Sequence, residues 1–138
     1  MSSAIETDCD EGQPVVNSAA LVAAIANATS VRATPVGAFD PRRRGRTLTL
    51  FVASDAAALD RLRRCLAVDD RSFAEGSALM TPGVLDLNFT TGHGLLATVS
   101  YIHPGFIRWR GWSSDGRLVD EADLRTWLVE HGWKASAP

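Results

Sequence analysis

The sequence predicts an α+β domain: one antiparallel sheet of about five strands with helices on one face, in the chain order α-β-β-α-β-β-β-α. Three observations point there. Val84 to Thr90 (VLDLNFT) alternates apolar and polar side chains at the two-residue period of a strand with one buried face. The runs from Ser54 to Ala67 and from Asp120 to His131 place apolar residues three and four apart behind a capping residue, the period of a helix. With 138 residues, 46% of them apolar and 22% charged, the chain is long enough to bury one core without disulfides or metal.

Taken in order, residues 1–14 are polar and acidic, end at Pro14, and read as a mobile tail; residues 15–135 form the single domain. Ser18 caps a first helix whose apolar stripe is Leu21, Ala24, Ile25 and Ala28. Val31 to Phe39 is a strand that Pro35, lacking a ladder donor, assigns to an edge or a bulge. After the loop Asp40 to Arg46, Thr47 to Ala53 returns as its hairpin partner, with Leu48, Leu50 and Val52 on one side and Thr47, Thr49 and Phe51 on the other.

Ser54 caps the second helix, from Asp55 to about Ala67, with Leu59, Leu62 and Leu66 inward. Asp60 stands four residues before Arg64, and Arg61, Arg63 and Arg64 fall on or beside the wet side. Asp69 to Gly83 reads as a connection across the core. In the next strand Leu85, Leu87 and Phe89 face in and Asp86 and Asn88 face out. A turn at Thr91 to Gly94 leads to Leu95–Ile102, and His103-Pro104-Gly105 turns into Phe106–Arg110. Asp120 caps the closing helix, Glu121 precedes Arg125 by four residues, and Gly132 ends it. Leu124, Trp127, Leu128 and His131 share one face, so this helix docks through Trp127.

Composition excludes several functions. A net charge of −2 gives no general attraction to nucleic acid or to an anionic membrane. The one basic cluster, Arg42, Arg43, Arg44 and Arg46, offers few phosphate contacts and no interleaved aromatics, so it reads as a solvated loop and nucleic-acid binding is not expected. Val15 to Ala28 imitates a signal-peptide core. It is preceded by Glu6, Asp8, Asp10 and Glu11 and by no Lys or Arg, and it is too short to span a bilayer. Cys9 and Cys65 have no metal-binding spacing and suit a reducing compartment. A cytoplasmic protein without a membrane segment is expected. No GxGxxG, P-loop, GxSxG or HExxH pattern is present, so no cofactor or metal is expected and no catalytic residue is assigned.

Function is sought in SYIHPGFIRWRGWSSDG, Ser100 to Gly116. If Ile107 and Trp109 face the core, Arg108 and Arg110 face away from it. They then join Asp86, Asn88, Thr98 and Ser100 on an open polar sheet face, with His103 at one turn, Asp115 at the next and Trp112 at the rim. The candidate binding residues are therefore Asp86, Asn88, Ser100, His103, Arg108, Arg110, Trp112 and Asp115. Arg and Trp are over-represented at interface hot spots, which favours a non-enzymatic domain with a protein partner. The alternative is an anion receptor or enzyme in which His103 is the acid/base, Asp86 or Asp115 orients it and Arg108 holds the anion. The sequence leaves the oligomeric state open.

The segment from Thr47 to Leu128 resembles small bacterial, largely actinobacterial, α+β domains that carry a Leu-rich helix, a His-Gly turn, RW, a second W and a closing helix ending in WL. The matching residues are Leu59, Leu62, Leu66, His103, Gly105, Arg108, Trp109, Trp112, Asp115, Leu118, Asp120, Trp127 and Leu128. Two adjacent His often precede the Gly in those domains, where this chain has His103-Pro104. A Cys segment often stands where this chain has Leu79 to Gly83 (LMTPG). The resemblance implies one α+β domain and brings no activity with it.

Overall fold

The computed structural model describes residues 18–37, 48–69, 83–112 and 115–134. The expected acidic tail, the Arg42–Arg46 loop and most of the connection after Asp69 lie outside these residues. The elements are α1 (Ser18–Ile25), β1 (Ser30–Thr34), β2 (Phe51–Ala53), α2 (Ala56–Cys65), β3 (Leu85–Thr91), β4 (Gly94–Ile102), β5 (Phe106–Trp109), β6 (Gly116–Arg117) and α3 (Glu121–Glu130). The strands form one antiparallel sheet in the order β2-β1-β3-β4-β5-β6. The α+β class is as expected. The added strand β6 is a two-residue pairing of Gly116 and Arg117 with Ile107 and Phe106, too short to leave an alternation in the sequence.

β1 and β2 pair as the expected hairpin, yet β1 is interior and β2 is the edge. Pro35 does not oppose this, because β1 ends at Thr34 and the missing donor lies beyond the ladder. Register decides the phase of β2. Phe51 lies opposite Ala33 and Ala53 opposite Val31, so these two share the buried side. Phe51 fits against Trp127, ring centroids 5.9 Å apart. Leu48, Leu50 and Val52 are left on the surface at 64%, 39% and 49% exposure.

The core lies between one sheet face and the helices. Leu21 and Ile25 of α1, Leu59 and Leu62 of α2, and Leu124, Trp127 and Leu128 of α3 meet Val31, Leu87, Phe89, Val99 and Ile107 of the sheet. Trp127 is fully buried, as its helical position requires, and its indole donates to the carbonyl of Ala58 at 2.9 Å, tying α3 to α2. Among the described residues no helix is long and apolar enough to cross a membrane.

Helix ends show local chemistry finer than the spacing suggested. Asp120 caps α3 as expected, accepting from the amide of Asp123 at 3.1 Å. The cap of α2 is Asp55 rather than Ser54, its carboxylate accepting from the Ala58 amide at 3.0 Å. Asp60 pairs with Arg63 at 2.6 Å and not with the expected Arg64. Arg63 is not a solvated side chain either: its guanidinium donates to the carbonyls of Ile25 (3.2 Å) and Ala28 (3.0 Å), covering the C-terminal end of α1. Arg63→Ala should cost about 1–2 kcal/mol in chemical denaturation. A change within about 0.5 kcal/mol, the range of ordinary surface substitutions, would show that these carbonyls are equally well served by water.

Candidate functional site

The register builds a polar row across the outer sheet face. Thr34, Asp86 and Ser100 lie opposite one another on β1, β3 and β4, and Ser100 lies opposite Arg108 on β5. One step along, Arg32, Asn88 and Thr98 form a second rung. Asp86 accepts from the Ser100 hydroxyl (2.5 Å) and the Gly37 amide (2.9 Å). Asn88 donates to the Arg32 carbonyl (2.9 Å) and the Thr34 hydroxyl (3.1 Å), and accepts from the Thr98 hydroxyl (2.8 Å).

This face was expected to be open. Its centre is closed: Asn88 and Thr34 are fully buried and Asp86 nearly so, with Ile102 buried at the phase of Thr98 and Ser100. Burial is tolerable because the row satisfies itself. Among the described residues, no buried side-chain nitrogen or oxygen lacks a hydrogen-bond partner.

Arg108 follows the same logic. Its Nε and Nη2 donate to the two oxygens of Asp115 at 2.8 and 3.0 Å, a bidentate pair that engages the guanidinium fork with a buried carboxylate. A free anion would have to displace Asp115. Trp112 is 7% exposed and part of the core, a correction to its expected place at the rim. The cause lies at Gly111, where a Cβ would come within 2.5 Å of the Trp109 ring. Backbone laid this closely on the indole turns the chain back, and Trp112 meets Trp109 edge-on at 5.6 Å and 84°. Arg110 remains exposed.

His103 is not brought to either expected aspartate's hydrogen-bonding groups. It stands at the β4–β5 turn, 68% exposed, with Nδ1 3.9 Å from Glu121. Glu121 belongs to a cluster that sequence reasoning missed. The Tyr101 hydroxyl, projecting inward from β4, donates to Glu121 and accepts from Arg125 at 3.1 Å. The Arg125 guanidinium lies over the Trp133 ring at 5.3 Å, and Trp133 meets Tyr101 edge-on at 6.2 Å. The only signal was the Glu121–Arg125 spacing, which suggested a direct ion pair; the tyrosine hydroxyl stands between them instead.

Burial, reinforced by the bond to Glu121, pushes the Tyr101 phenol up to about 12. Because the folded value is raised, the stabilisation this implies is complete below the ordinary value near 10 and is lost as pH rises from there through about 12. Tyr101 is the chain's single tyrosine, so ultraviolet titration of tyrosinate reads it alone. We expect ionisation near 12 in the folded protein and near 10 in denaturant. Coincident curves would contradict the buried network.

Cys65 lies buried between α2 and α3, its thiol donating to Asp123 at 3.2 Å. Desolvation and that bond raise it to about 12, which removes it as a nucleophile at neutral pH. No described group of three or more His, Cys, Asp or Glu residues could hold a metal. Among the described residues, one surface cleft of about 320 Å³ lies between Thr49–Leu50 and Gly132–Lys134, and another of about 210 Å³ among Ala28, Ser54, Leu59 and Arg63. No protein-family model, curated protein or solved structure matches this chain.

Proposed function

We propose that this is a protein-interaction domain whose binding edge is β2. One observation carries the reading: the terminal strand of the sheet presents Val52 to solvent, Leu48 and Leu50 are exposed on the approach to it, and the run Leu48 to Ala53 contains no charge and no proline. Edges of stable sheets are commonly blunted by charge, proline or a bulge, since an apolar edge recruits further strands. An edge left apolar suits β-augmentation, in which an extended chain adds as the next strand and alternate side chains give specificity.

This reading keeps the protein partner expected from the sequence and moves its site. Arg108 and Trp112 are engaged by Asp115 and Trp109, so the polar face has little left to offer beyond the exposed Arg110.

The test is selection of binders from a random peptide library on the wild-type domain. Selected peptides should alternate apolar residues around an uncharged centre and lose at least about tenfold in affinity on Val52→Lys. Arg110→Ala should leave them unaffected. Peptides that tolerate Val52→Lys and fail on Arg110→Ala would return the site to the polar face.

A further inference from the structure

We infer that the partner on this edge is a second copy of this chain, the two β2 strands pairing antiparallel about a two-fold axis through Val52. The inference rests on reading β2 as the binding edge. A two-fold interface uses the same surface on both copies, so the surface must complement itself. Antiparallel pairing centred on the middle residue of β2 sets Val52 opposite Val52, Phe51 opposite Ala53, and Thr49 opposite Asp55. The two pairings within β2 itself, Val52 with Val52 and Phe51 with Ala53, are apolar on both sides.

On the helix-covered side, the large Phe51 meets the small Ala53 of the other copy twice, and the two cores continue across the junction. On the outer side Val52 meets its equivalent at the axis, exposed valine against exposed valine, and each Leu50 lies opposite Ser54 of the other copy. Charge agrees with this register. Lys134 lines the cleft beside Thr49 and Leu50 at one end of β2, while the exposed Asp55 follows the other end by two residues. Antiparallel pairing brings each Lys134 towards the other copy's Asp55, whereas parallel pairing sets Lys134 beside Lys134. A foreign strand would have to reproduce the size alternation and the charge order separately; a second copy supplies both by symmetry.

β2 itself is short, so the pairing is weak and visible as a concentration-dependent monomer–dimer equilibrium. Sedimentation equilibrium of the wild type should show it. Val52→Lys, which places two ammonium groups across the axis, should abolish the dimer at concentrations where the wild type is at least half dimeric. A second variant guards against misfolding. In a Cys9→Ser background, Val52→Cys should cross-link to itself under mild oxidation, giving a species of twice the monomer mass without reductant. Leu48→Cys, four residues off the axis, should not.

A dimer lost on Val52→Lys together with selective cross-linking at position 52 supports the inference. A wild type that stays monomeric while still binding selected peptides in a Val52-dependent manner overturns self-pairing and leaves β2 as the edge for another chain. A dimer that survives Val52→Lys, or cross-linking equal at positions 48 and 52, overturns the proposed two-fold. Monomeric protein whose peptide binding ignores Val52→Lys overturns both.

Discussion

Trp127→Ala should destabilise the domain by about 3–5 kcal/mol, the upper range for emptying a buried aromatic site and a large share of a small domain's stability. Three contributions converge on this side chain. Its fully buried indole fills the space between α3 and the sheet. Its Nε1 donates to the Ala58 carbonyl at 2.9 Å, joining α3 to α2. Its ring stacks on His131 at 3.9 Å and packs against Phe51 at 5.9 Å, so truncation also loosens the last helical turn and the inner side of β2. Collapse into the cavity would require α3 to move, and its capped first turn and the Tyr101–Glu121 bond oppose that. Equilibrium denaturation measures the loss; a cost below about 1.5 kcal/mol, the range of volume-conserving exchanges, would mean that α3 is not anchored here.

Asn88→Ala should cost about 3 kcal/mol, although the sequence reads this position as a solvated one. The fully buried amide serves three partners, the Arg32 carbonyl and the hydroxyls of Thr34 and Thr98. Alanine reproduces none of these bonds, and each buried group left without a partner costs roughly 1–3 kcal/mol. Arg110→Ala, on an exposed residue at the end of the same face, should change stability by no more than about 0.5 kcal/mol. Equal costs for the two variants would mean that the polar face is open after all.

The contrast between these residues shows what the chain reveals on its own. Periods and caps belong to neighbours in sequence, so the helices, the Asp120 cap, the inward leucines of α2 and the docking of Trp127 were all legible. Partnerships across long separations were not. Asn88 is buried because Arg32 and Thr34, more than fifty residues earlier, arrive opposite it. The alternation of Leu48, Leu50 and Val52 resembles an inward stripe, and only pairing with Val31 and Ala33 turns Phe51 and Ala53 to the core.

The candidate site was misread for the same reason. Trp112 looked peripheral because it follows a strand end, and the close approach of Gly111 to Trp109 is invisible without the third dimension. Glu121 and Arg125 were seen as a pair, but Tyr101 enters from another element to stand between them. Stability thus takes up most of the polar and aromatic residues that had suggested a binding face, and the unblunted edge is what they leave.

Chemical-shift mapping on isotope-labelled protein tests that division most directly, using a peptide selected on the wild type as the probe. The largest backbone amide changes should fall at Leu50 to Ala53 and at Arg32, the residue opposite Val52, with Ser100, Arg108 and Arg110 unmoved. Changes centred on Ser100, Arg108 and Arg110, with β2 silent, would contradict that division.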